Sequence, residues 1–205
     1  MSPILKRLLT LALIAAVLLS GLSIGDAPAD AAVLQEVAGE EHMRFSVFPH
    51  EGSESSFWDS WGARRSGGRR HEGIDIMSKR GNAIVAVAGG VVAAMGHSRM
   101  SGYFIRIQHP DDWMTVYMHL NNDTLGTDDG AGGEWTAYFA TLTVGDTVAA
   151  GQTIGYVGDS GNAEGTRPHT HFELRHRGTK VNPYPYLRDV WHRQFRLPMD
   201  HLLPV

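Results

Sequence analysis

The chain is 205 residues long and carries 18 Lys and Arg against 22 Asp and Glu, a net charge of −4. This mildly acidic balance argues against a protein that coats nucleic acid, and a hydrophobic content of 42% excludes a disordered chain. The lack of cysteine excludes disulfide frameworks, thiolate metal sites and cysteine nucleophiles. Eleven histidines are the unusual count, and they direct attention to metal and proton chemistry.

The N-terminus has the pattern of a secretory signal. Lys6 and Arg7 precede an apolar run over residues 8–22, and small residues follow at 25–32. This order is typical of a signal peptide that is cleaved after export. Residues 1–32 therefore predict an exported protein that acts outside the cell, in the wall or in the periplasm. An uncleaved membrane anchor is the alternative, and it is the only membrane contact we expect.

The remaining chain divides into three predicted parts. Residues 33–56 are polar and weakly periodic and predict a linker or N-terminal extension. Residues 57–190 predict a single domain, and residues 191–205 a C-terminal tail.

The domain is rich in β-branched runs that turn residues separate, and within it only residues 186–195 indicate a short helix. We predict a mainly β fold, a small antiparallel sheet or sandwich with little helix apart from the signal segment. The segment 83–94 contains two β-branched runs split by Gly89-Gly90 and predicts a hairpin. The other predicted strands are 103–109, 113–120, 144–148, 153–157 and 169–175.

The first motif that carries chemistry is RRHEGIDI at residues 69–76, which places His71 and Asp75 four residues apart. A helix would put these two side chains on one face, but Gly73 and the β-branched Ile74 favour a loop that enters a strand. A neutral imidazole and a carboxylate suit a divalent zinc ion.

Two further motifs add histidines. His169 and His171 are two apart in a predicted strand, so both rings face the same side while Thr170 faces the other. Both rings could bind metal, one could bind while its neighbour handles protons, or both could be solvated. His119 ends an otherwise apolar strand. With the first motif, these residues supply three metal ligands, an open position for water and additional bases, as metal-assisted hydrolysis requires.

These motifs resemble those of the lysostaphin-type (LytM-like) zinc endopeptidases of bacterial cell walls. The resemblance covers about residues 57 to 187 and rests on separated motifs in the same order. They are His71-x-x-x-Asp75, YMHL at 117–120 and HTHFE at 169–173, together with Trp61-Gly62, VGDTVAAGQ at 144–152, Gly158-x-x-Gly161-Asn162 and VNP at 181–183.

The resemblance implies a fold, a cofactor and a set of roles. It implies a small antiparallel β domain whose groove holds a peptide over one zinc ion. His71, Asp75 and His171 would bind the zinc, and His119 and His169 would orient and deprotonate the attacking water. The expected activity is hydrolysis of peptide cross-links in peptidoglycan, with its stem or bridge peptides as partners and the chain as a monomer. Neither the bond cut nor the substrate-binding residues follow from the motifs.

Three alternatives stay open at this point. A catalytically silent relative would bind the wall or activate another hydrolase. His71-Glu72-x-x-Asp75 could be a helical metal motif with Glu72 as general base, although Gly73 speaks against a helix. A lipoyl-like carrier is disfavoured because the lysines, at 6, 79 and 180, lack a suitable hairpin context.

Two regions have no assigned role in the resemblance. Residues 121–141 form a long connection that is acidic and Gly-rich and then aromatic; it is either a mobile surface loop or a wall of the groove in which Trp135 and Tyr138 contact substrate. The basic residues Arg64, Arg65, Arg69 and Arg70 are either a solvated face or a site for carboxylates of stem peptides or wall polymers. Glu173 shares the strand face of His169 and His171 and is a candidate to hold a metal-binding imidazole in position by a hydrogen bond.

Overall fold

The computed structural model describes residues 43–195. The predicted signal segment, most of the predicted linker and the last ten residues lie outside this range. Within it, no helix is both long enough and apolar enough to span a membrane.

Nine strands and two α-helices make up the regular structure of the described residues, so the prediction of a mainly β, antiparallel fold is confirmed. Strand 113–120 was predicted to the residue, and the terminal helix begins two residues before the predicted start. The strands are β1 (Ile74–Met77), β2 (Ala83–Val85), β3 (Gly90–Ser98), β4 (Gly102–Gln108), β5 (Trp113–Leu120), β6 (Thr147–Val148), β7 (Thr153–Tyr156), β8 (His169–His176) and β9 (Thr179–Val181), and the helices are α1 (Glu134–Ala137) and α2 (Tyr184–Phe195).

The main sheet has seven strands in the order β1-β8-β5-β4-β3-β6, with β9 also pairing with β8. Every pairing is antiparallel. β8 is therefore the most connected strand, because β1 and β9 share one of its edges and β5 takes the other. The β4–β5 turn uses Asp111 and Asp112, both at positive φ, where Asp is better tolerated than most residues.

The prediction of a hairpin over residues 83–94 is wrong. β2 pairs with β7 in a separate two-stranded sheet, whereas β3 pairs with β4 and β6. Gly90 is nevertheless required, because a Cβ there would lie 2.5 Å from the carbonyl oxygen of Gln108. Gly90 is needed because the backbone of β4 comes close at this point. The local sequence pattern does not show that β4 is the pairing partner.

The core includes residues that precede the predicted domain boundary at 57. Phe45 and Phe48 are buried, and the Phe48 ring lies 4.7 Å from Trp191 of α2. The backbone nitrogen of Phe48 also donates to Gln194 at 2.7 Å. α2 thus packs against segment 43–48, so both segments belong structurally to the domain. The proposed division of the chain into functional parts stays a prediction.

Candidate metal centre

The centre is built on two neighbouring strands. Asp75 of β1 lies directly opposite His171 of β8, and Met77 lies opposite His169. Directly opposed residues in an antiparallel pair project from the same face. His71 comes from the loop that leads into β1, and its backbone exchanges hydrogen bonds with residues 62 and 63. Sheet register therefore fixes two of the predicted metal ligands relative to each other, and the loop supplies the third.

The three predicted ligands converge on one point. His71 Nε2, Asp75 Oδ1 and His171 Nδ1 form a triangle with each side 3.0 Å long. His71 and Asp75 are buried and His171 is partly buried. The rings of His71 and His171 are 4.8 Å apart at their centroids. Among the described residues, this is one of two groups with the composition and spacing to hold a metal ion.

Hydrogen bonds outside the triangle orient the rings. His71 Nδ1 lies 3.0 Å from the carbonyl oxygen of Ser60. Because a carbonyl oxygen only accepts, Nδ1 must carry the proton, and the lone pair of Nε2 faces the triangle. On His171 the outer nitrogen, Nε2, lies 3.5 Å from Glu173 Oε1. Glu173 therefore stands where a partner that orients a metal-binding histidine is normally found.

Gly73 allows the strands to come close at this point. A Cβ on residue 73 would lie 2.6 Å from His171 Nε2 and 2.6 Å from the carbonyl oxygen of Phe172. The sequence singled out Gly73 only as evidence against a helix. Its steric role was missed because the contact is with β8, about a hundred residues further along the chain.

His119 and His169 lie beside the triangle. Their ring centroids are 5.2 Å apart, and the centroid of His119 is 6.0 Å from that of His171. His119 Nδ1 donates to the carbonyl oxygen of Ser160 at 2.9 Å, and His169 Nδ1 donates to that of Arg167 at 2.8 Å. In both rings Nε2 is left as the accepting nitrogen. The five predicted site residues are thus brought together.

His119 also has unusual backbone geometry. Its φ is 61°, a left-handed conformation that is uncommon outside glycine and that clusters at functional sites. Its backbone nitrogen donates to Ser101 at 2.9 Å, at the tip of the β3–β4 hairpin. Because of this conformation, the side chain of His119 departs from the regular alternation of β5 and points toward β8.

The ionisable groups of the site have pKa values that are shifted in different directions. The pKa of His119 is lowered to about 4, chiefly by burial and also by the charges of His169 and His171. Burial alone would raise the pKa of Asp75, but hydrogen bonds with His171 and His71 outweigh burial and hold it well below its ordinary range. Burial opposes protonation of His171, yet Asp75 and Glu173 raise its pKa above the usual value. His119 is therefore neutral at pH 7, whereas the triangle attracts a cation.

Arg65 is a site residue whose role the sequence did not reveal. Its guanidinium donates to Asp75 Oδ2 at 2.5 Å, while the other oxygen of Asp75 faces the triangle. This contact fixes the rotation of the carboxylate. The sequence showed the basic run but did not distinguish Arg65 from its neighbours. Which arginine reaches Asp75 depends on the conformation of loop 62–71.

The helical alternative for His71-Glu72-x-x-Asp75 does not agree with the structure. Residues 71–73 are not helical, and β1 begins at Ile74. Glu72 is exposed and pairs with Lys180 Nζ at 2.5 Å. The glycine and the β-branched residues had indicated this outcome.

Residues 121–141 form neither a wholly irregular loop nor a wall of the metal groove. They include α1, and Trp135 and Tyr138 line a second cleft with His97 and Tyr103. None of the residues lining this cleft lines the groove around the metal triangle. The expectation that Trp135 and Tyr138 contact substrate beside the metal therefore has no support in the geometry.

The donor set fits zinc. Two imidazole nitrogens and one carboxylate oxygen are ligands that zinc accepts, and ligands about 2.0–2.1 Å from a tetrahedral ion lie about 3.3 Å apart, close to the spacing of the triangle. The lone pair of His71 Nε2 faces His171 Nδ1 at 3.0 Å, an arrangement that needs a proton or a metal ion between the two nitrogens.

Comparison with known proteins adds the family. The model for peptidase family M23 matches residues 69–183, more than half of the chain. The chain belongs to peptidase family M23. This family span contains all five site residues, and it agrees with the resemblance found in the motifs.

Two curated relatives illustrate the range of functions in this family. The murein hydrolase activator NlpD of Escherichia coli is 35% identical over 136 residues, which are 66% of this chain and 30% of NlpD. The L-Ala–D-Glu endopeptidase of Bacillus subtilis is 33% identical over 149 residues, 67% of this chain and 41% of that protein. This M23 chain thus spans less than half of either relative.

A solved structure confirms the fold. The catalytic domain of the M23 protein EnpA from Enterococcus faecalis, crystallised as an A109H mutant, is 31% identical and superposes with a TM-score of 0.51. The alignment covers 69% of this chain and 98% of that domain. The architecture of this M23 chain is therefore that of the lysostaphin-like domains.

Proposed function

We propose that this chain is a zinc-dependent endopeptidase that hydrolyses peptide cross-links of bacterial peptidoglycan. The observation that carries the proposal is the convergence of a His-Asp-His triangle with two further imidazoles, each anchored through Nδ1 and presenting Nε2. The B. subtilis relative, which is named as an L-Ala–D-Glu endopeptidase, supports an endopeptidase activity. We also propose that the protein is exported and acts in the cell envelope.

His71, Asp75 and His171 would hold the ion. A zinc ion there would supply Lewis acidity, which polarises a carbonyl oxygen and lowers the pKa of bound water to about 7. From outside the triangle, Arg65 holds the Asp75 carboxylate in position and Glu173 holds the His171 ring. The ligands carry one negative charge in total, so the loaded site stays positive and attracts electron-rich groups.

His119 and His169 would move the proton. At neutral pH His119 is unprotonated, because burial lowers its pKa to about 4, so its Nε2 can accept a proton from water. His169 presents a second Nε2 within reach of the same space. One ring accepts the proton, and the pair stabilises the negative charge that develops on the carbonyl oxygen and returns a proton to the leaving amine.

A murein hydrolase activator is the second candidate, and the similarity to NlpD favours it. The two candidates differ in a measurable way. An endopeptidase releases peptide fragments from purified peptidoglycan on its own, whereas an activator releases none until another hydrolase is added. The complete set of candidate ligands and bases supports the endopeptidase.

The test combines zinc analysis with digestion of purified peptidoglycan and mass spectrometry of the fragments. We expect the zinc-loaded chain to release cross-link fragments. His119→Ala and His169→Ala should each lower the rate by at least about a hundredfold, the usual size of an acid–base contribution, and should retain zinc. His171→Ala should lose the zinc itself.

His109→Ala is the matched control, because His109 is a buried histidine outside the groove that bonds to Gly89 and Thr115. It should retain both zinc and activity once its folding is verified. Absence of any fragment release by the zinc-loaded chain would contradict the endopeptidase, and equal zinc loss in all three site variants would contradict the division of roles.

A further inference from the structure

The groove around the metal triangle has a charge opposite to that of the chain. Its volume is about 660 Å³, and seven cationic and three acidic side chains from the described part of the chain line it. The whole sequence has more acidic residues than basic ones. The positive charge is therefore concentrated where the proposed substrate must lie, and a cleft lined by one sign of charge focuses the field on its ligand.

The three acidic side chains are already paired. Asp75 accepts from Arg65, and Glu173 accepts from Arg175 at 2.6 Å and from Lys180 at 2.9 Å. Glu72 also pairs with Lys180. These pairs leave four arginines of the groove without a carboxylate partner among residues 43–195. They are Arg69, Arg70, Arg106 and Arg167.

The four unpaired arginines flank the reaction centre. Arg69 and Arg70 immediately precede His71, and Arg167 lies two residues before His169. Arg70 is tethered by a bond of 3.1 Å to the carbonyl oxygen of Gly62. The loop that carries the proposed ligand His71 and the segment that carries the proposed base His169 therefore both present guanidinium groups.

Arg106 lies on the floor of the groove. It is opposite Val116 of β5, which is opposite Glu173 of β8, so these side chains form one row across the sheet. From strand and residue spacings, its Cα is about 12 Å from that of His171, which lies in the adjacent row. Its guanidinium carbon is 5.0 Å from the centre of the Phe104 ring. Arg106 Nε is shielded from solvent and has no hydrogen-bond partner among the described residues.

We infer that the groove is selective for an acidic peptide: a peptidoglycan peptide with free carboxylates within two or three residues of the bond at the metal centre. This inference rests on the proposed function and specifies its substrate class. Guanidinium groups bind carboxylates through paired, charge-assisted hydrogen bonds. A peptide is favoured over a phosphate polymer because the four arginines line the same groove as the candidate metal triangle, where the proposed function places a peptide.

The test uses two synthetic cross-linked stem-peptide dimers that differ only in having carboxylates free or converted to carboxamides. Binding is measured by calorimetry on the zinc-loaded full chain carrying His169→Ala, which prevents turnover. We expect the free-carboxylate dimer to bind about tenfold more tightly, the effect of one good charge-assisted contact. The difference should shrink as salt is raised, because salt screens exposed charges.

Arg106→Gln should remove most of this preference and leave the affinity for the carboxamide dimer unchanged. Arg188→Gln is the control, because it removes the same charge from the exposed side of α2, and it should change neither affinity by more than about twofold. Equal binding of the two dimers, or equal effects of the two substitutions, would overturn the proposal.

A glycerol-phosphate oligomer of the same charge serves as a competitor. If it binds as tightly as the acidic dimer, the groove recognises polyanions in general and the peptide assignment is overturned. Failure of the proposed function is recognised separately, since it is the absence of fragment release by the zinc-loaded chain with His169 intact.

Discussion

His50 is a buried imidazole behind the strand that carries His169 and His171. Its two ring nitrogens lie 2.9 Å from Ser55 Oγ and 2.8 Å from Thr170 Oγ1. Burial lowers its pKa to about 3. Thr170 faces the core, as the alternation of the strand predicted, and its hydroxyl is satisfied by a histidine that no motif had indicated.

The depressed pKa of His50 predicts a loss of stability in acid. Between pH 6.5 and pH 3 the unfolded chain binds a proton at this residue that the folded chain does not, so the free energy of unfolding falls as pH falls. From pH 7 to pH 5 this histidine alone should account for about 2 kcal/mol. Urea unfolding at both pH values measures it.

His50→Asn should reduce the pH dependence by that amount, because asparagine does not titrate. His97→Asn, a substitution at an exposed histidine of β3, should leave the pH dependence nearly unchanged. An identical slope in the wild type and in His50→Asn would contradict the assignment to His50.

Gly73 is the second residue whose identity the structure explains. Gly73→Ala would push a methyl group into His171 Nε2 and the backbone of Phe172. We expect a loss of about 1–3 kcal/mol, the usual cost of overpacking, and weaker zinc binding because the strands must separate. Calorimetric melting and zinc titration measure the two effects.

Gly89→Ala is the matched control, because the nearest contact of its Cβ would be 3.6 Å away. It should affect neither stability nor zinc affinity by a comparable amount. If both variants behave alike, the steric explanation is wrong.

At the residue scale, the sequence identified the groups that could carry chemistry but not the groups that position them. The five candidate site residues stood out because the motifs that contain them resemble, in type and order, those of the lysostaphin-type zinc endopeptidases. Arg65 and His50 could not, because their importance comes from partners at distant positions in the chain. Spacing along the sequence contains no information about such contacts.

At the scale of elements, Arg80 connects the long insertion to the rest of the fold. Its guanidinium contacts Asp123 at the start of the insertion and Asp159 after β7. Both carboxylates are fully buried, and a third acidic residue, Asp128, lies 2.8 Å away. The insertion is therefore fixed at its base, and these aspartates are partners of an arginine.

Removing Arg80 should destabilise the protein strongly. Arg80→Met leaves two buried carboxylates without a counter-charge, which typically costs about 3–5 kcal/mol. Chemical unfolding measures the loss, and faster proteolysis within residues 121–133 should accompany it.

Two comparisons make this prediction specific. Adding Asp123→Asn and Asp159→Asn to Arg80→Met should restore part of the stability, because the unpaired charges are removed. Lys79→Gln breaks an exposed pair with Glu54 and should cost no more than about 1 kcal/mol. A mild effect of Arg80→Met, equal to that of Lys79→Gln, would contradict the structural role.

Strands could be predicted where the local pattern alone decides them. β5 has a strong apolar run that ends at recognisable turn residues, and its bounds were predicted correctly. The hairpin at 83–94 was not, because strand partners are chosen by contacts between distant segments. Phe45 and Phe48 were placed in a linker for the same reason, since their partners are in α2.

At the scale of the whole molecule, the proposed metal ligands are held by structure that does not depend on metal. Asp75 and His171 are on hydrogen-bonded strands of a seven-stranded sheet, and the apolar core is large. Removal of zinc should therefore leave the far-UV circular dichroism unchanged. The melting temperature should fall by about 5–10 °C if zinc is present at a hundred times its dissociation constant.

A chelator titration monitored by circular dichroism and melting tests this expectation. His171→Ala, which lacks a ligand, should melt at the same temperature with and without chelator. Unfolding of the wild type upon chelation would instead mean that the metal supplies the folding energy, as in zinc fingers.

Because β8 is paired with three strands, the site is sensitive to the number of residues in β8. One face of β8 carries His169, His171 and Glu173, while the other carries Thr170 and Phe172. A single residue inserted within β8 would reverse the facing of the residues on one side of the insertion, so that an imidazole would turn inward or the Phe172 ring would turn toward the groove. Surface loops can lengthen without such a reversal, so the candidate metal site tolerates a change of length in the connections but not in this strand.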